Sequence, residues 1–138
     1  MTMHYAELAE VVRRDPRYAY EAYEFVLFQA LAHTQKMLSR RPRESGSGEE
    51  QLHVSGVELL EGIRDLALRE FGMMARTVFH MWGIDSTQDI GQIVFNLVEA
   101  GKMSKTDQDS LDDFRGVYDL DEVFVKNFQI RLEEADST

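Results

Sequence analysis

Residues 80–101, HMWGIDSTQDIGQIVFNLVEAG, read as the end of one helix, a turn built on Gly83-Ile84-Asp85, and a second helix. Ser86 with Asp89 three residues on predicts an N-cap, because a serine hydroxyl satisfies an amide that the first helical turn leaves unpaired. Ile90, Ile93, Val94, Leu97 and Val98 then recur at helical spacing. Gly101 suits the left-handed position just past a helix end. This outline settles the fold as helical, and it raises one functional question: whether the chain reads DNA.

Working towards the N-terminus, Met73–Trp82 reads as the preceding helix, with Val78, Phe79, Met81 and Trp82 apolar. Before it, Ser55 and Glu58 form a capping box that opens a helix with the stripe Leu59, Leu60, Ile63, Leu66 and Ala67; Gly72 ends or kinks it. The most apolar stretch is RYAYEAYEFVLFQALAHTQKML. Tyr20, Tyr23, Leu27, Leu31 and Leu38 define one face, Val26, Ala30 and Met37 lie beside it, and Phe25 and Phe28 are on the other flank. A helix apolar on so many sides is central to a bundle or covered by a second subunit. Asp15-Pro16 predicts its start, since Asp caps and Pro is tolerated at the first helical position. Tyr5–Arg14 is a shorter amphipathic helix with Tyr5, Leu8 and Val12 in register.

Towards the C-terminus, Ser104 with Asp107 predicts a short helix through Leu111 and Phe114. Asp119 with Glu122 caps a last one carrying Leu120, Val123, Phe124, Phe128 and Leu132. The fold class is therefore mainly α: a single-domain helical bundle over residues 1–138, of about seven helices, with a helix-turn-helix-like segment. A minor β ribbon is the alternative for Lys102-Met103 and Val117-Tyr118. SRRPRESGSGEEQ and the two residues after it predict a flexible linker at 39–53, and residues 134–138 a frayed tail.

Charge bears on partners. The net charge is −10, unevenly spread. Residues 1–43 hold seven Lys/Arg and five Asp/Glu (7 − 5 = +2), and residues 44–138 hold eight and twenty (8 − 20 = −12). An acidic surface favours solubility and disfavours nonspecific binding to nucleic acid. Zero cysteines remove disulfides, thiol catalysis and Cys-ligated metals. No apolar h-region opens the chain and no apolar run reaches the ~18 residues of a membrane span, which predicts a cytoplasmic protein without a membrane partner.

The DNA reading has one point in favour: Gln88, Gln92 and Asn96 occupy outward positions of the second helix, and both residue types bond adenine edges in a bidentate way. Against it stands the phosphate backbone, which Lys and Arg must meet. From Met73 to Gly101 there is one such residue, Arg76, against Asp85, Asp89 and Glu99. Lys102 to Glu122 adds three positive residues and seven negative ones. Bulky Phe79 also sits four residues before the turn glycine, where close helix crossing favours a small side chain. Nucleic acid is thus disfavoured.

Other chemistry is no better specified. A carboxylate-bridged di-iron bundle needs two inward Glu-x-x-His pairs, and the chain has one, Glu50–His53, at the linker edge. His33 and His80 lack such a glutamate; His33 reads as a helix-surface or pocket-edge residue and His80 as partly buried beside a hydrogen-bond partner. The acidic run from Asp107 fails as a calcium loop, with Leu111 and Asp112 at its fifth and sixth positions and Tyr118 at its twelfth. No Gly-x-Ser-x-Gly elbow, phosphate loop or dinucleotide signature occurs. Glu21 and Glu24 share a face of the Tyr-rich helix and read as its solvent stripe. FGMMARTVFHMW offers a soft hydrophobic groove, although core packing is the more usual use of such a stretch. No catalytic residue, cofactor or metal ligand is assigned.

DPRYAYEAYEFVLFQALAHT, HVSGVELLEGIRDLALREFGMMARTVFHMWGI and DIGQIVFNLVEAGKMSKTDQDSLDDF together resemble a small bacterial protein family largely restricted to planctomycetes and verrucomicrobia. The resemblance spans nearly the whole chain outside the linker and tail. It implies a single cytosolic bacterial domain and transfers no activity, cofactor or site. The sequence thus points to a non-enzymatic interaction or regulatory protein with a protein partner or a second copy of itself. A helix-turn-helix DNA-binding regulator using Gln88, Gln92 and Asn96 is the alternative, and an acid–base or metal-dependent enzyme comes third.

Overall fold

The α1 helix, Tyr5–Arg14, ends where Asp15-Pro16 interrupts it, but the next helix does not begin there. In the computed structural model, which describes residues 5–39, 54–103 and 111–126, the chain runs on without helix to Ala19, and α2 starts at Tyr20. The delay has a physical cause. Ala19 donates its amide to the carbonyl of Trp82 at 3.1 Å, and Tyr18 enters the core, so these residues answer to a distant turn rather than to the proline.

The α2 helix is continuous over residues 20–39 but not uniform: Tyr20–Glu24 and Leu31–Ser39 are α-helical, and Phe25–Ala30 between them is π-helical. Five of its seven buried positions, Ala22, Val26, Ala30, Thr34 and Leu38, are spaced by four. In an α-helix each four-residue step rotates the face by about 40°. The wider π turn winds part of that rotation back, which keeps one face on the core for the helix's full length.

Next comes α3, Gly56–Phe71, with both halves of the predicted capping box: Glu58 N–H bonds Ser55 Oγ at 3.1 Å and Ser55 N–H bonds Glu58 Oε1 at 3.0 Å. A 3-10 turn, Gly72–Met74, leads into α4, Ala75–Met81, and residues 82–86 turn the chain into α5, Thr87–Glu99. Gly72 and Gly101 take positive φ at the helix ends where they were expected. Beyond α5 the described chain holds a 3-10 turn, Leu111–Phe114, and a helical turn from Leu120 that becomes π-helical over Glu122–Lys126.

Of the described residues, 79% are helical and none is in a strand. Lys102-Met103 and Val117-Tyr118 form bends or irregular backbone, not a ribbon, because the neighbouring helices take their amides: Lys102 and Met103 N–H bond Leu97 O, and Val117 N–H bonds Thr87 Oγ1. Five helices stand where about seven were expected. The last two appear within the described residues only as single turns, and the Ser104 cap, Phe128 and Leu132 lie outside those residues, as do residues 40–53 of the linker and the 134–138 tail.

The helix that organises the bundle is α3, not the more apolar α2. It touches α2, α4, α5, the 111–114 turn and the 122–126 turn. Gly62 makes the α2 contact close: a Cβ there would lie 1.7 Å from Thr34 Oγ1. Phe114 closes the other side, seated on Gly56 of α3 and Gly91 of α5, where an added Cβ would meet its ring at 2.9 and 2.7 Å. Phe25, Phe71, Phe79, Trp82 and Phe124 form one aromatic cluster, with ring centroids 5.1–5.8 Å apart. Such contacts add to the burial of large apolar area. The apolar residues of α2 are therefore covered within the chain itself: Tyr23, Phe25, Val26, Ala30 and Leu38 are buried, and Leu27, Phe28 and Leu31 pack half-buried on the core.

Gly62→Ala should lower stability by about 1–3 kcal/mol through overpacking. Gly83→Ala should cost at least as much, since φ is +92° there and the new Cβ would stand 2.2 Å from Arg17 O. Urea denaturation checks both; a midpoint unchanged from wild type would mean that the helices have room the structure does not show.

Candidate functional site

The α4–turn–α5 unit keeps the helix-turn-helix outline, so the first place to look is the outward face of α5. Ser86 caps it as expected, its Oγ accepting from Asp89 N–H at 3.2 Å. The face is only partly open. Residues 15–23 lie against it, and a polar network joins the two. Asn96 Nδ2 donates to Asp15 Oδ2 at 2.8 Å and to Tyr23 Oη at 3.1 Å, and Asn96 Oδ1 accepts from Gln92 Nε2 at 2.9 Å. Tyr23 Oη–H donates to Asp15 O at 3.1 Å, and Tyr18 Oη–H donates to Asp89 Oδ1 at 2.8 Å.

The three residues singled out as base readers therefore separate. Asn96 has two amide hydrogens and both are taken, so none is left for an adenine edge. Gln92 is half-buried and bonded to Asn96; Gln88 alone is exposed. The spacing that suggests groove readout here positions a seam between two parts of the fold.

Asp15 anchors the seam. Its carboxylate takes Arg17 Nε and Nη2 at 2.8 and 2.7 Å as well as Asn96. The Arg17 bonds hold its pKa down, at about 2, against the opposing effect of burial. Burial, reinforced by the Asp89 carboxylate, pushes the Tyr18 phenol well above its ordinary value, and burial raises Tyr23 too. Both tyrosines are thus neutral hydrogen-bond donors, which the network needs. No local signal in the sequence marks it: the bonded pairs Tyr18–Asp89, Tyr23–Asn96 and Asp15–Asn96 are more than seventy positions apart.

Two histidine clusters lie elsewhere. His33 Nε2 is 2.7 Å from Asp65 Oδ2, which also accepts from Arg69 Nε at 2.8 Å. Burial pushes the Asp65 carboxyl up, but these two partners outweigh it and lower the pKa. His80 is exposed, against the expectation of partial burial, because it sits on the outer side of α4; it does have the expected partner, with Nδ1 2.7 Å from Asp85 Oδ1. Arg76 joins that cluster, bonding Asp85 at 3.1 Å and Asp121 at 2.8 Å. The His80 bond is the main cause of a lowered Asp85 pKa. A His–carboxylate pair can orient a general base, but the hydroxyl next to His33, on Thr34, is buried and bonded to Ala30 O. Among the described residues no group of three His, Cys, Asp or Glu could hold a metal ion. Glu24 accepts from Tyr20 Oη while Glu21 faces outward. Glu50 and His53 lie outside the described residues, as does the start of the acidic run at Asp107.

The stretch FGMMARTVFHMW divides between core and surface. Ala75 and Phe79 are fully buried, and Phe71 and Trp82 are half-buried in the aromatic cluster. The methionines go the other way: Met73, Met74 and Met81 are 68%, 52% and 75% exposed. Thr77 and Met81 lie on the exposed side of α4, away from Ala75 and Phe79, and Met73 and Met74 are exposed in the 3-10 turn that leads into it. Val125, in the turn that packs against α4, is 38% exposed. No described helix is long and apolar enough to cross a membrane. No known protein family, curated protein or solved structure matches the chain.

The seam makes two predictions. Because the folded-state pKa of Asp15 is depressed, its contribution is complete above the ordinary carboxylate range and disappears as pH falls towards 2; it is worth roughly 1–2 kcal/mol. The stability gap between wild type and Asp15→Asn, from thermal unfolding, should shrink between pH 5 and pH 2; a gap independent of pH would contradict the charged role. Asn96→Ala leaves Gln92, Asp15 and Tyr23 short of a partner and should cost about 1–3 kcal/mol at neutral pH. A variant as stable as wild type would return Asn96 to the list of free surface residues.

Proposed function

We propose that this chain is a non-enzymatic interaction or regulatory protein that meets its partner through the outward side of α4. The exposure of Met73 and Met74 in the 3-10 turn before α4 and of Met81 at the end of α4, a helix anchored by buried Ala75 and Phe79, carries the reading. Scattered apolar residues on a surface need no explanation, but three long, unbranched ones within nine residues do. Methionine is flexible and polarizable, so such a surface adapts its shape to what it binds.

The other readings have less support. Groove readout by Gln88, Gln92 and Asn96 has to compete with the bonds that hold Gln92 and Asn96 against residues 15–23. A homodimer through α2 loses its motive, since that helix finds its cover within one chain. An enzyme would need a nucleophile or metal beside His33 or His80. A cytosolic setting, and membership of the bacterial family that the sequence resembles, belong to this same proposal.

Met73→Gln/Met74→Gln/Met81→Gln removes the apolar character of the face without touching the core. Wild type and this triple variant, immobilised in nuclease-treated extract of the source cell, should retain different proteins, with the main partner lost from the variant. Their unfolding free energies should agree within about 1 kcal/mol, as expected for exposed positions. Identical retention by the two proteins, or enrichment of one DNA sequence by both from a parallel extract without nuclease, would overturn the reading.

A further inference from the structure

We infer that the partner of the α4 face is a cationic amphipathic helix, an inference that rests on the interaction reading and narrows it. Two observations select this occupant. The first is shape. Thr77 and Met81 are exposed at four-residue spacing on α4, and Met73 and Met74 are exposed in the 3-10 turn before it, so the short Thr77 side chain falls between longer methionines along the chain. Ridges of this kind accept the i, i+3 and i+4 side chains of another helix. The described residues contain no strand, and so no sheet edge, for an extended peptide to join.

The second is charge. Glu70 is exposed three and four residues before Met73 and Met74, Asp85 and Asp121 are bonded to Arg76, and exposed Glu122 belongs to the turn that packs against α4. Arg76 is matched by Asp85 and Asp121, His80 shares Asp85, and Arg69 is taken by Asp65, which leaves Lys126 against Glu70 and Glu122. The chain as a whole carries −10. A second copy of it, an anionic membrane surface or a nucleic acid would each bring like charge to this rim. A helix with an apolar stripe and flanking Lys or Arg brings the opposite charge and an apolar ridge together.

The test uses the full chain with its methionine methyl groups labelled with carbon-13, and two synthetic peptides of about sixteen residues, or ~24 Å as helices. Both carry the same leucine stripe; one has lysines on its polar side and the other glutamates. The lysine peptide should bind more tightly than the glutamate peptide by about tenfold or more, equivalent to ~1.4 kcal/mol. It should shift the methyl signals of Met73, Met74 and Met81 while those of Met37 and Met103 stay put. Binding should fall by about tenfold in the triple Gln variant, and should weaken in Glu70→Gln/Glu122→Gln and on raising salt from about 50 to 200 mM. Preference for the glutamate peptide with the same methyl shifts would keep the α4 face as a docking surface and overturn the cationic partner. Lysine-peptide binding that ignores the methionine substitutions would be adhesion to acidic surface elsewhere and would overturn the inference. So would methionine-dependent binding to vesicles of anionic phospholipid, or self-association lost in the triple variant. Absence of any peptide binding overturns the cationic helix, and the retention experiment on cell extract then decides separately whether the α4 face binds a partner at all.

Discussion

The carbonyl of Arg17 rests on Gly83, and much of the molecule follows from that contact. A side chain at residue 83 would stand 2.2 Å from this oxygen, so only glycine admits the approach, and its φ of +92° turns α4 into the path towards α5. Once the strap 15–19 is seated there, Ala19 bonds Trp82, Tyr18 reaches Asp89, and Asp15 meets Asn96. The strap sets where α2 begins and covers the polar side of α5. The same docking that completes the fold thus engages Asn96, and through it Gln92, two of the three residues with which a helix-turn-helix protein would read a groove.

Covering one surface leaves another to face outward. The α4 helix is held from below by Ala75 and Phe79 and from the side by Trp82 and the 122–126 turn. With only seven residues it has little buried area of its own, and the aromatic cluster fixes its position. Its upper side carries methionines over a rim with acidic excess. A surface both apolar and acidic is badly suited to nucleic acid and well suited to an amphipathic cation, because burial and charge then favour the same partner.

Short-range features were legible in the sequence. Ser55 and Glu58 cap α3, Ser86 caps α5, Gly72 and Gly101 end helices, and the Leu59–Ala67 stripe is buried where its spacing put it. Each depends on groups within about one helical turn, so residue type and spacing suffice. The start of α2 was not legible in this way: Asp15-Pro16 carries a plausible local start signal that a long-range contact overrides. Nor was the π turn, since it answers to the accumulated rotation of a core-facing stripe rather than to any one residue.

The polar residues separate the two kinds of information most clearly. Gln88, Gln92 and Asn96 share an outward row by periodicity alone, and so do Thr77 and Met81. Periodicity states which residues share a side of a helix and is silent on what lies against that side. Sequence by itself determined a helical chain, its caps and the stripes of its helices. Only the tertiary structure decided that Asn96 on α5 is bonded to Asp15 and Tyr23 while Thr77 and Met81 on α4 meet solvent, because each depends on segments brought together from far along the chain.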